Sequence, residues 1–429
     1  MTPKRFITLI IGSMLLAVLL LMQSIKPVSN EQGDLVTGTR ELLPAAQKLA
    51  SAQITAIHVS VSLNREQFNH LEDLNRSFMA NFPHMKVTIH NSAPVQERSD
   101  IFSAWMELGQ QRLNADVMLL ANSWVKPFAV RGYLKPTDRV VSGESQSDQL
   151  ERLIDPLKWN GYVWAVPSYA NPYIVVWNEQ LLEEAGLSEP PLDWPAFVGA
   201  AEALVDAHAD VNVVNLASGD LQQLIVWLES LQAVPVNSLN TLDFHAEELA
   251  KLKESEWLQS MEGRIGRREG LSELGLANDL LHNRTLAAVL SWDSYKRLDK
   301  SLKQQLLVTQ NYILYPWMNG GSYVISSSTK HEEAAALWIK EMTSAERQLE
   351  AYESFGLLPT RSSLYSGSHY AMSDAAPPAW VAAALSEKRE KEQKAAAMPD
   401  WPAAWNDLER KWSLLMQPNE ETALPNSSP

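Results

Sequence analysis

The chain carries 15 tryptophans against 9 phenylalanines, an inversion that apolar volume alone does not require, because an indole adds a flat face and an N–H donor to its bulk. Residues able to use such faces stand at the ends of apolar runs or between them. Asn64 and Glu66 follow residues 54–63, and Asn122, Ser123 and Trp124 follow residues 115–121. Tyr169, Asn171 and Tyr173 lie where Pro167 and Pro172 split the apolar stretch 161–177, Trp292 and Asp293 close the run 285–292, and Trp317 precedes Gly320 and Gly321. Trp401 and Trp405 follow near the C-terminus. Flat rings beside Asp, Asn and Glu suit a saccharide, whose hydroxyls need donors and acceptors and whose C–H faces stack on aromatics. Open α/β sheets bind ligands at the carboxyl ends of their strands, which is why these positions are singled out.

Each of them has a structural alternative, which for Trp124, Asn171 and Trp292 is core or hinge packing. Glu66 also suits the first turn of a helix, where an acid offsets the dipole, and Trp401 and Trp405, four apart, also form the stripe of a packed helix. Trp159, Trp194, Trp227, Trp257, Trp338 and Trp412 are assigned to core, and Gly320 and Gly321 to backbone conformation.

Catalytic patterns fail at named positions. Glu183–Glu184, Glu247–Glu248 and Glu332–Glu333 are adjacent pairs, and neighbours on a helix diverge instead of forming an acid/base couple. His331–Glu332 begins a zinc motif, but Ala335 stands where its second histidine belongs. There is no G-x-S-x-G, Walker A or G-x-G-x-x-G sequence. With no cysteine, disulfides, thiolate metal sites, a cysteine nucleophile and a lipidated cysteine are all excluded. The reading is therefore not an enzyme, with no cofactor and no metal. A formal charge of -15 repels phosphate backbones and argues against nucleic acid.

A chain of 429 residues exceeds one ordinary core and suggests two or three domains, two lobes being the first reading. Lys4 and Arg5 precede an apolar run over 6–22 broken by Thr8, Gly12 and Ser13, the form of a signal segment with no Ala-x-Ala cleavage site. Residues 1–27 are read as a signal peptide or signal anchor, 28–51 as a spacer helix-compatible over 40–50, and 419–429 as a disordered tail. Between them strands alternate with helices, the mark of α/β architecture. Strands are expected at 54–63, 86–90, 115–121, 285–292 and 323–326, and helices at 65–81, 100–113, 179–185, 194–207 and 331–353. The charge run 387–394 reads as a solvated helix face.

Four stretches in order carry a resemblance. They are Phe78 to Pro83 before Val87; Ala115-Asp116-Val117 through Trp124 to Gly132-Tyr133-Leu134-Lys135-Pro136; Trp159-Asn160-Gly161 through Ala165-Val166-Pro167 and Trp177-Asn178 to Gly186-Leu187, Pro190-Pro191 and Trp194; and Gly320-Gly321 with Gly356-Leu357-Leu358-Pro359-Thr360-Arg361. Over nearly all of 54–417 this resembles the extracellular solute-binding proteins of bacterial ABC importers for carbohydrates, a family that includes maltose-binding protein. Trp177 replaces the usual tyrosine and Asp193 a common threonine.

The resemblance implies a two-lobed periplasmic-binding-protein-like fold of type II, each lobe a mixed sheet flanked by helices, with the ligand cleft between lobes. Crossings are expected at 168–172, 320–323 and 358–362, giving lobe 1 as 52–169 plus 321–358 and lobe 2 as 170–320 plus 359–418. Trp124, Asn171 and Trp292 match ligand-contacting places of the family. The implied function is capture of a mono- or oligosaccharide by a monomer outside the cytoplasm, at the cell membrane or in the periplasm, for delivery to ABC-transporter permease subunits. A membrane-tethered sensor or adaptor for a receptor needs the same features, and a secreted glycoside hydrolase shares the acid-and-aromatic composition.

Overall fold

The computed structural model describes residues 54–92, 98–140, 147–208, 210–216, 220–232, 265–267, 273–310, 312–366, 377–387 and 400–416. The expected signal segment, spacer, most of the 387–394 charge run, the tail, Trp257 and the side chains of Trp401 and Trp412 lie outside these residues. Among the described residues no helix is long and apolar enough to cross a membrane.

The chain is mixed α/β and two-lobed, with one sheet in each lobe. The first sheet takes β1 (Thr55–Val61), β2 (Met85–Asn91), β3 (Val117–Ala121) and β4 (Leu134–Lys135). A hairpin of β5 (Lys158–Trp159) and β6 (Tyr162–Val163) precedes β7 (Val166–Tyr169). The second sheet takes β8 (Tyr173–Asn178), β9 (Asn212–Leu216), β10 (Ile265–Arg267), β11 (Thr285–Ser291) and β12 (Leu306–Val308), before β13 (Gly321–Ser326) returns to the first. The orders are β2-β1-β3-β13-β4, with β7 also on β13, and β10-β9-β11-β8-β12. In the first sheet β1, β2 and β3 are parallel and β13 runs against β3.

Burial explains these assignments. Along β1, Ile57, Val59 and Val61 are buried and alternate with exposed or half-buried residues, the period-two pattern of a strand with one covered face. In β3 four consecutive residues are buried, as a strand covered on both faces requires. Helix α1 (Arg65–Asn81) begins where the Asn64 side chain accepts the Gln67 N–H at 2.9 Å, satisfying one of the free donors at its start. Helices α2 (Arg98–Gln110) and α3 (Asn122–Val130) cover the other face of the first sheet, where Ile101, Trp105, Val125 and Phe128 pack on Met118, Leu120 and Val324.

In the second lobe α4 (Glu179–Glu184), α5 (Trp194–Ala207) and α6 (Leu221–Ser230) cover one face, with Phe197 and Trp227 packed on Trp177 and Val289. The opposite face receives α7 (Glu273–Leu281), α8 (Trp292–Arg297) and further C-terminal elements.

The helix expected over 331–353 is two: α9 (Glu332–Met342) and α10 (Ala345–Phe355). Thr343 Oγ1 donates back to the Ile339 carbonyl at 2.8 Å, and Ser344 turns its hydroxyl to the Arg347 N–H. Such local bonds compete with the helical ladder and end it. Helices α11 (Ala379–Ser386) and α12 (Trp401–Met416) complete the second lobe, α12 through Trp405 and Leu408.

One buried charge has a measurable consequence. Lys126 on α3 is 6% exposed, with its ammonium 5.7 Å from the Trp159 ring centre. Desolvation lowers its pKa to about 8, opposed by the charge of Asp155. A base whose native pKa lies below its unfolded value binds more protons unfolded, so stability rises with pH between about 8 and the unfolded value of 10.5. Lys126→Met is expected to flatten that rise, which urea denaturation at pH 7.5, 9 and 10 would measure.

Candidate functional site

The lobes are joined at a cluster where β7 passes to β8 and where the chain returns at Gly320. Ala170 exchanges backbone hydrogen bonds with Leu358, both at 2.9 Å, so a third segment passes the same place. The return ends at Gly320, the first residue of the expected 320–323 crossing, since Gly321 is already paired with Ala121 in the first sheet. A Cβ on Gly320 would stand 2.5 Å from Asn122 Nδ2 and 2.7 Å from the Tyr169 carbonyl oxygen. One on Gly321 would stand 2.7 Å from the Tyr169 ring. Close approach to backbone, not a left-handed conformation, is why glycine is needed at Gly320, whereas at Gly321 the neighbour is the outer end of the Tyr169 side chain.

On the first lobe, the carboxyl ends of β1 and β2 are tied by Asn91, which accepts from the Leu63 N–H and donates to the Leu63 carbonyl, both at 2.9 Å. Asn64 and Glu66 follow and are exposed, Asn64 with its side-chain oxygen committed to the α1 cap. After β3, Asn122 is 2% exposed and accepts the Ser322 hydroxyl at 2.6 Å. Its backbone N–H donates to the Gly320 carbonyl at 3.1 Å, which ties Asn122 to the returning segment. Ser123 beside it is half-buried.

On the second lobe, Asn171 and Asp293 form a closed pair. The Asn171 amide donates to Asp293 Oδ1 at 2.9 Å, and its oxygen accepts the Asp293 backbone N–H at 3.0 Å. Ser291 and Arg297 also engage the Asp293 carboxylate. At the amino end of β8 the Tyr173 hydroxyl donates to Asp220. Asp220 caps α6 by accepting the Gln223 N–H at 3.2 Å. Tyr169, Asn171, Tyr173, Asp220 and Asp293 are all half-buried.

Four of the expected stacking rings are instead core. Trp124 is 9% exposed and packs between Phe102 and Trp105; Trp292 is 1% exposed, between Tyr295 and Trp380. Trp317 and Trp405 are buried in the second lobe, Trp405 donating its indole N–H to Glu409 at 2.7 Å. A ring with so little surface has no face for a sugar to stack on. Trp401 opens α12, and its side chain lies outside the described residues.

Asp220 is the polar residue of this group that the sequence reading passed over. The signal was the strand ahead of it, Asn212–Leu216, whose apolar residues are bounded by turn-forming ones.

A model of the family of bacterial extracellular solute-binding proteins matches residues 84–384. A putative binding protein of Brucella abortus (strain 2308) is 27% identical over 81 residues, which span 19% of this chain and only 20% of that protein's length. The GacH receptor of Streptomyces glaucescens, solved unliganded and with acarbose, superposes with a TM-score of 0.61 at 18% identity, covering 84% of this chain and 92% of that one. The sugar-binding protein MalE of Xanthomonas citri superposes with a TM-score of 0.60 at 16% identity, covering 84% and 97%.

Proposed function

The chain belongs to the bacterial extracellular solute-binding proteins, and from that membership we propose that it captures a carbohydrate between its lobes and delivers it unaltered to the permease of an ABC importer. Its family and its structural neighbours are binding proteins. The observation that carries the carbohydrate reading is the polar edge of the second lobe. There Tyr173 and Asp220, with Asn171 at the same crossing and Asp293 hydrogen-bonded to it, combine a half-buried ring with carboxylates and an amide. A carboxylate fixed at a helix start accepts hydroxyl donors, and a tyrosine ring offers a stacking face. Both named neighbours were described with, or as binders of, sugars.

In this reading the ligand contacts are Tyr169, Asn171, Tyr173 and Asp220 from the hinge and second lobe, and Asn64, Glu66 and Ser123 from the first. The protein acts as a monomer outside the cytoplasm, and residues 1–27 direct its export or tether it to the membrane face.

A ligand that binds only the native state stabilises it. A panel of mono- and oligosaccharides is therefore expected to include members that raise the melting temperature, and a panel that moves nothing removes the carbohydrate assignment. Asp220→Asn keeps a capping side chain but removes the charge. It should weaken the best saccharide by roughly ten- to a hundredfold in calorimetry with little change in ligand-free melting.

A further inference from the structure

The first sheet is covered unevenly. Beneath α1 and α9 one face is closed by Ile57, Val59, Val61, Phe78 and Trp338. On the other face α2 and α3 pack on β3 and β13, while Ala56, His58, Lys86 and His90 on β1 and β2 stay exposed. Within that open half Ser60 is in register with His90, and His58 with Thr88, so the two histidines stand diagonally on adjacent strands and on the same face. Their ring centres are 5.9 Å apart and the rings lie 16° from parallel.

These rings line a cavity of about 280 Å³ under α2, together with Ser60, Trp105, Asn114 and Asp116. Asp116 is held in place, accepting the His58 backbone N–H at 2.8 Å and the Thr329 hydroxyl. Asn114 contributes to the lining, while its amide atoms are closed off from solvent and without a hydrogen-bond partner among the described residues.

We propose that this cavity binds a hydrated divalent transition-metal ion through the imidazoles of His58 and His90. Metal–imidazole bonds of about 2.0–2.1 Å place each ring centre about 3.2 Å from the ion, so two rings sharing one ion at an N–metal–N angle of about 90–120° stand roughly 4.5–5.5 Å apart. The observed 5.9 Å is a few tenths of an ångström beyond that, and rotation about the side-chain torsions both closes the gap and turns the stacked rings so that their nitrogens face a common point. Among the described residues no group of three or more ligating side chains converges, so the ion keeps water in its remaining positions. Ser60 is an outer partner for those waters, and the Asp116 carboxylate is a fixed negative wall. The volume accommodates several waters at about 30 Å³ each. Two imidazoles select zinc, nickel or copper over magnesium or calcium, and the chain's charge of -15 favours cations generally. An ion here ties the edge strand β2 to β1 and leaves the hinge cluster untouched.

The test is calorimetric titration of the untagged full-length protein with zinc chloride and nickel chloride, with magnesium chloride as control, alongside thermal melts. One equivalent of zinc or nickel is expected to bind and raise the melting temperature, and magnesium to do neither. His58→Gln and His90→Gln are each expected to lower zinc affinity by more than tenfold. Because both histidines are exposed, the metal-free melts of their variants should match the parent, and saccharide responses should not change. Absence of zinc binding overturns the site, and so does zinc binding that survives in both histidine variants.

Discussion

Replacing Trp292 with alanine is expected to lower stability by about 3–5 kcal/mol, measured by urea denaturation of the ligand-free protein. The indole is 1% exposed, with ring centres of Tyr295 and Trp380 at 5.6 and 5.8 Å. It belongs to a cluster joining β8, β11, α7, α10 and α11 through Ile174, Leu290, Leu276, Tyr352 and Val381. Its backbone N–H donates to the Pro172 carbonyl at 2.9 Å, so the ring packs directly behind the first crossing. The cavity left by truncation touches several elements at once, and none can collapse into it without moving the others. Tyr173→Ala removes a half-buried ring and should cost less. If Trp292→Ala melted like the parent while losing saccharide binding, the ring would face ligand and the core assignment would fall.

The misplaced tryptophans show what periodicity conveys and what it omits. Alternating and continuous apolar runs identified β1, β3 and β11, because burial of one or both strand faces is written into local sequence. Position at a strand end identified Asn171, Tyr173 and Asp293 as neighbours of the crossing for the same reason. Depth is not local. Trp292 and Trp124 each begin or nearly begin a helix directly after a strand, and whether such a ring turns to the cleft or the core depends on Trp380 or Phe102, which other segments supply. The break between α9 and α10 was legible in Thr343 and Ser344 but was outweighed by the surrounding helical period. Asp220 was missed because β9 ahead of it, rich in asparagine and valine, was not read as a strand. His58 and His90 each look like isolated histidines until β1 and β2 pair in register.

Gly320→Ala is expected to damage the hinge more than its single methyl group suggests. The added Cβ would meet Asn122 Nδ2 at 2.5 Å and the Tyr169 carbonyl oxygen at 2.7 Å. The Asn122 side chain cannot simply swing away, since Ser322 donates to it at 2.6 Å and it is 2% exposed. The Tyr169 oxygen is backbone, within the strand that leads into the crossing, so relief requires moving the crossing itself. Overpacking of this kind costs about 1–3 kcal/mol. A displaced crossing also shifts Tyr169, Asn171 and Tyr173 together, so saccharide affinity should fall in the same variant. Gly199→Ala on α5 is the matched control: its Cβ would meet nothing within 4 Å, and alanine in a helix should add about 0.5–1 kcal/mol. Paired urea and calorimetric measurements separate the two outcomes. A Gly320→Ala variant that keeps parental stability and affinity would mean that the hinge yields freely at this point, and that close packing of Asn122, Tyr169 and Gly320 is not what sets its geometry.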